Sequence, residues 1–252
     1  MAGTSVDLHF LPGDPAHDIL TLFLDGGEHS PAAIAALTGH GLAESTLCTA
    51  ELVNLGLLDD RQPDYFRPGI ALRLNAGGSG GDGPGQPDVL SELVAITGGC
   101  ARIGALHGAG ISYVQASIVP GRTGRSRRIS FGSAGLERTH QSALGQVLLA
   151  YAGNGVTDEL RKQISVPGGS AVTFDPDELE MSLSVVQLSG VAMTRGEPPS
   201  LDVAVPVFGP AGEVEIALQI SASGFQDADA SALDSLRSIA KRLSRLRNEL
   251  PG

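Results

Sequence analysis

Between residues 77 and 87 the chain reads GGSGGDGPGQP, a run with no side chain able to build a core. Burial cannot offset the entropy of ordering such a segment, so it reads as a flexible linker. It divides the 252 residues into a first unit, 1–76, and a larger one, 88–252, each with its own apolar periodicity. Gly77-Gly78-Ser79-Gly80-Gly81 matches a G-x-S-x-G nucleophile pattern in letters only, because that motif has meaning only between a buried strand and a helix.

In the first unit, Asp14 with Pro15 opens a helix bearing Ile19, Leu22 and Phe23 on one face, and Gly26-Gly27 ends it. Ser30 with Pro31 opens a second helix carrying Ile34 and Leu37. Gly39-His40-Gly41 turns into a third that ends near Gly56. Two helices across so short a glycine turn are the pattern of a helix-turn-helix. Asp59 to Gly69 then sets turn residues between short apolar runs, as a β-wing does. The charge has the wrong sign for DNA: the unit holds three arginines (Arg61, Arg67, Arg73), no lysine and ten carboxylates, a net −7. A phosphate-binding face ordinarily carries the opposite charge, and the third helix has no cation at all.

For the whole chain a net charge of −11 and a pI near 4.9 give no general attraction to DNA or to anionic membranes. A local basic patch still acts within a Debye length. Seven Phe, three Tyr and no Trp offer few stacking platforms for single-stranded nucleic acid. Cys48 and Cys100 lack partners at metal-ligand spacing, so no metal is expected and both read as small apolar residues. There is no P-loop, HExxH or CxxC, and the six histidines are scattered, so no catalytic residue, cofactor or enzymatic activity is expected. Neither a secretory leader nor a membrane-length apolar run is present, which predicts a cytoplasmic location.

The second unit alternates helix and strand signals: a helix over 88–97, strands over 101–107 and 111–119, a half-buried strand over 127–131 and a helix over 139–152. Further helices are expected at 157–164 and 176–188, then strands 203–208 and 214–220 around Gly209-Pro210-Ala211-Gly212, and a final helix over 229–249. Two hairpins, a half-buried strand and covering helices predict an α+β fold with an antiparallel sheet.

Thr139-His140-Gln141-Ser142-Ala143-Leu144-Gly145-Gln146-Val147-Leu148-Leu149-Ala150, with Gly190-Val191-Ala192, Gly196-Glu197 and Val203-Ala204-Val205-Pro206-Val207 about fifty residues on, carries a resemblance. The chain resembles the isocitrate lyase regulator (IclR) family of bacterial transcription regulators, in which a winged helix-turn-helix precedes a GAF-like effector-binding domain. The first unit departs from that pattern. Without a gap, Leu42, Ala43 and Glu44 stand at the family's Lys, Ser and Thr, and Leu47 at its Arg; a two-residue deletion instead puts Thr49 at the Arg. Neither register supplies a cation. The family's helical interdomain segment, which helps dimerise, is here the glycine-rich run.

The resemblance implies a ligand-responsive regulator acting as a homodimer or tetramer. Ser45, Thr46, Thr49 and Asn54 would approach base edges of operator DNA, and Arg61, Arg67 and Arg73 its phosphates. It also implies that a small organic metabolite, of the organic-acid kind that family members bind, is held by Glu137, His140, Ala143, Leu144, Thr194, Asp202, Gln219 and Ser221. The same residues read alternatively as surface or core polar groups with no ligand. Arg122, Arg125, Arg127 and Arg128 form the densest cationic run, with Arg138 behind it; Arg128 or Arg138 is expected to pair with Asp202 or the ligand, or the run is a solvated loop. The alternative function is a small-molecule sensor or protein-interaction module whose acidic helix-turn-helix has lost autonomous DNA binding.

Overall fold

The computed structural model describes residues 8–62, 65–75, 89–107, 110–121, 124–135, 139–153, 156, 158, 176–195, 200–223 and 230–249. The expected linker, Glu137 and Arg138 lie outside these residues, as does most of the helix expected at 157–164.

Three helices open the chain: α1 (Pro15–Leu22), α2 (Pro31–Thr38) and α3 (Leu42–Asn54). Proline at the first turn pre-sets φ for α1 and α2, and the Ser30 hydroxyl accepts the Ala33 N–H at 3.2 Å. Gly39, at φ +78°, closes α2 in the left-handed region that favours glycine. Strands β2 (Leu58–Gln62) and β3 (Tyr65–Pro68) then form an antiparallel hairpin, to which His29 adds a bridge through Phe66. The short α4 (Ile70–Asn75) follows; its apolar run had given no separate helix signal.

Beyond it lie α5 (Val89–Thr97), β4 (Cys100–His107), β5 (Gly110–Gly121), β6 (Gly124–Gly135), α6 (Ala143–Tyr151) and α7 (Pro176–Ser189). Then come β7 (Ala192–Arg195), β8 (Ser200–Phe208), β9 (Val214–Ser223) and α8 (Ala230–Glu249). With β1 (Leu8–Phe10) the strands make one antiparallel seven-stranded sheet in the order β1-β6-β5-β4-β9-β8-β7. The α+β antiparallel architecture expected from the sequence is therefore present.

Two edge strands were not anticipated. β1 comes from the first unit yet pairs with β6, matching Leu8 to Ser133 and Phe10 to Phe131. β7 is only four residues long, too short for an alternation signal. The sheet separates two cores. On one face Ala101, Ile103, Val205, Leu218 and Ile220 pack with Leu90 and Leu93 of α5 and Leu236, Ile239 and Leu243 of α8. The same core runs on through Val114 and Phe131 into Ile19, Leu20, Phe23, Leu52, Ala71 and Leu72. On this face α5 and α8 lie over β4, β9 and β8, and α1 and α4 take up the portion of β4, β5 and β6 left beside them. On the opposite face α6 and α7 bury Leu144, Val147, Leu148, Leu179 and Leu183 against Ile111, Tyr113, Ala204 and Ala217.

Candidate effector cleft and helix face

Residues two apart on a strand share a face, so aligned strands build polar or apolar rows across a sheet. One row runs Arg128–Ser117–Cys100–Ser221–Asp202–Thr194 through β6, β5, β4, β9, β8 and β7. The next row on that face runs Ser130–Gln115–Arg102–Gln219–Ala204–Ala192. These rows lie on the face covered by α6, at the end where the sequence changes from apolar to polar.

The N-terminus of α6 is fastened to them. Ala143 N–H donates to Thr194 Oγ1 at 3.1 Å, Leu144 N–H to Gln219 Oε1 at 3.1 Å and Gly145 N–H to Ser142 Oγ at 3.0 Å. Three of the donors that a helix start leaves without an internal partner are thus satisfied by side chains. Gln219 is fully buried, and its Nε2 donates to Ser221 Oγ at 3.2 Å. The helix comes close enough that a Cβ on Gly145 would lie 1.8 Å from the Thr139 carbonyl oxygen, and one on Gly104 2.5 Å from Leu144 Cδ2.

Beside this junction opens a cleft of about 260 Å³, lined by Arg102, Ile111, Tyr113, Ala134, Gln141, Ser142, Leu144, Thr194, Arg195 and Asp202. Arg102 Nε donates to Gln115 Oε1, and its guanidinium carbon lies 5.4 Å from the Tyr113 ring centroid, a cation–π arrangement. Among the described residues no carboxylate pairs with Arg102, and nothing donates to Asp202. Burial raises the Cys100 thiol pKa; Arg102 draws it down and Asp202 pushes it up, so Cys100 feels both charges.

Of the residues expected to hold a ligand, Leu144, Thr194 and Asp202 line the cleft, while Ala143, Gln219 and Ser221 stand behind it as support. His140 is buried outside the lining, and its carbonyl accepts Gln146 Nε2 at 3.0 Å. Arg128 falls in the Asp202 row by backbone register. Two arginines not anticipated from the sequence, Arg102 and Arg195, line the cleft with Asp202. Arg102 is a single charge in a largely apolar strand; the available signal was its parity with Cys100 and Gly104.

The α2–α3 face also departs from expectation. Ser45 and Thr49 are fully buried, and Thr49 Oγ1 donates to the Ser45 carbonyl one turn earlier, so neither hydroxyl presents itself to a base. Their i, i+4 spacing puts them together on the packed side of α3. Thr46 and Asn54 are exposed, in company with Leu42 and Leu47, 57% and 67% exposed, Glu44 and Glu51, and beside Leu37 of α2 at 60%. Cys48 on this helix is pushed up to about 11 by burial and by the charges of Glu51 and Glu44. Arg67 of the hairpin pairs with Asp59 at 3.3 Å, and Arg73 is half-buried on α4. Arg61 lies on β2.

Residues 87–245, more than half of the chain, match the family model for the C-terminal part of the bacterial transcriptional regulator IclR. The chain belongs to the IclR family. It is a transcriptional regulator of the IclR type. Its fold is similar to that of an IclR homolog from Microbacterium sp. strain HM58-2, 19% identical, with 93% of this chain and 97% of that one covered and a TM-score of 0.52. An IclR-type protein from Silicibacter sp. TM1040 is 21% identical over 94% of this chain and 98% of its own, also with a TM-score of 0.52. Transcriptional regulator YaiJ is 22% identical over 64% of this chain and 91% of its own, with a TM-score of 0.51. No curated protein matches the chain. Among the described residues no helix is long and apolar enough to cross a membrane, and no group of three or more His, Cys, Asp or Glu could hold a metal ion.

Proposed function

We propose that this IclR-family regulator senses a small metabolite in the α6 cleft and transmits its occupancy to a winged helix-turn-helix made of α1–α3 and the β2–β3 hairpin. The observation that carries the reading is the position of the cleft: its walls stand on the sheet whose opposite face shares one apolar core with α1, α3 and α4. A ligand that shifts α6 or Arg102 acts on β4, and β4 packs against α4. Operator contacts then fall to Thr46 and Asn54, to the α3 backbone and to the hairpin arginines, in a cytoplasmic homo-oligomer with no catalytic role.

The test is fluorescence anisotropy of the full chain with its own upstream DNA, against a scrambled duplex of equal length. Specific, salt-sensitive binding is expected; equal affinity for both duplexes rejects the reading.

A second reading has support in the α2–α3 face, where Leu37, Leu42 and Leu47 stand exposed beside Glu44 and Glu51 without a cation. Such a face suits a basic protein partner better than DNA. Capture of a partner protein by a variant that binds no DNA would favour it.

A further inference from the structure

We propose that the α6 cleft selects a zwitterion of amino-acid size, its carboxylate on Arg102 and its ammonium on Asp202. The inference rests on the reading of this cleft as the effector site.

An organic acid has two natural anchors in such a cleft, the N–H groups at the helix start and a guanidinium. Here the first is taken: the Ala143, Leu144 and Gly145 N–H groups already donate to Thr194, Gln219 and Ser142. The acid group is left to the lining guanidiniums, Arg102 and the exposed Arg195, and of the two Arg102 is the one fixed in place, its Nε held by Gln115 and its guanidinium at the Tyr113 ring. That tether fixes the fork, which lowers the ordering cost of a bidentate contact.

Asp202 decides the other half. It lines the same cleft, two strands from Arg102 across β9, and among the described residues no donor engages it. A second carboxylate brought beside it would meet like-charge repulsion, whereas an ammonium supplies both countercharge and donors. Ile111, Leu144 and Ala134 accept a small apolar body, beside the polar Gln141, Ser142 and Thr194. At about 260 Å³ the cleft lies below the size of drug-holding pockets, which begin at roughly 300 Å³, and suits a single amino acid.

The test measures the melting temperature of the full chain with each of the twenty standard amino acids. Calorimetry then compares the strongest stabiliser with its deaminated acid and its decarboxylated amine. The zwitterion should bind at least tenfold more tightly than either truncated form. Asp202→Asn should bring zwitterion and acid within about twofold of each other, and Arg102→Met should weaken both at least tenfold. If the acid binds as well as the zwitterion and Arg102→Met abolishes it, the zwitterion is overturned while the cleft stands. Zwitterion binding untouched by both substitutions overturns the cleft assignment with it. If no amino acid raises the melting temperature, the ligand class is wrong, and the operator titration alone then judges the regulator.

Discussion

Gln219 on β9 accepts the N–H of Leu144 at 3.1 Å, so a buried strand amide caps the first turn of a helix across 75 residues of chain. This bond and its neighbour from Thr194 fix where α6 starts over the sheet, and with it the width of the cleft. Gln219→Leu removes the acceptor without emptying the site and strands a buried donor. The expected loss is about 1–3 kcal/mol of unfolding free energy, read by urea denaturation. An unchanged midpoint would show that the bond contributes nothing.

Gly145 and Gly104 approach α6 and its entry loop in different ways. A Cβ on Gly145 meets the Thr139 backbone at 1.8 Å, which cannot swing aside, whereas one on Gly104 meets chiefly the end of the Leu144 side chain, with the nearest backbone atom, the Ser112 carbonyl oxygen, at 3.1 Å. Gly145→Ala should cost at least about 3 kcal/mol or prevent soluble expression, and Gly104→Ala about 1–3 kcal/mol. Thermal unfolding of the two variants checks the order; the reverse order would contradict this packing.

Ser45 and Thr46 are adjacent on α3, but the first is buried and the second exposed. Ser45 is buried with its hydroxyl unpartnered among the described residues, so Ser45→Ala should leave DNA affinity unchanged and stability unchanged or raised by up to about 1 kcal/mol. Thr46→Ala and Asn54→Ala should each weaken specific operator binding by about 1–3 kcal/mol, read by anisotropy.

The Arg67–Asp59 pair alters the salt dependence expected of that binding. Six arginines per dimer neutralising six phosphates would give a slope of log affinity on log salt of about −5. With Arg67 held by Asp59 in each protomer, at least two of the six are engaged and the slope should be no steeper than about −4. Asp59→Asn should steepen it, as a titration from low to moderate salt would record.

Asp18 of α1 and His40 of the α2–α3 turn lie 3.1 Å apart. Burial raises the Asp18 pKa, but hydrogen bonds from His40, the Gly13 backbone and His17, with the charge of His40, outweigh it and bring the carboxyl below its ordinary 3.8. A depressed folded pKa means that the stabilisation is complete above 3.8 and is lost as pH falls through the lower folded value. His40→Ala should move Asp18 back toward 3.8 in a carboxyl NMR titration and cost under about 1 kcal/mol at neutral pH, because the pair is partly exposed. No movement of the Asp18 titration would refute the coupling.

What is local in the chain was readable from it. Pro15 and Pro31 mark helix starts by a restricted φ, Gly39 marks a helix end by its freedom to take a positive φ, and Leu90, Leu93 and Val94 mark the inward face of α5 by 3.6-residue spacing. The segments around Ala143–Ala150 and Val203–Val207 carried the family resemblance, and the first holds Gly145, which the Thr139 backbone leaves no room to replace. Asp202, Thr194 and Leu144 were found through that likeness. The arginine across the cleft from Asp202 was not: Arg102 is remote in sequence and joins the cleft only because β9 lies between β4 and β8. Likewise, Ser45 and Thr49 differ from Thr46 only in the side of α3 they occupy, and packing against α1 and α2 decides that side. Residues 8–10 carry no signal for which sheet they join, since strand pairing is a contact between distant segments and its register depends on the edge that β6 presents.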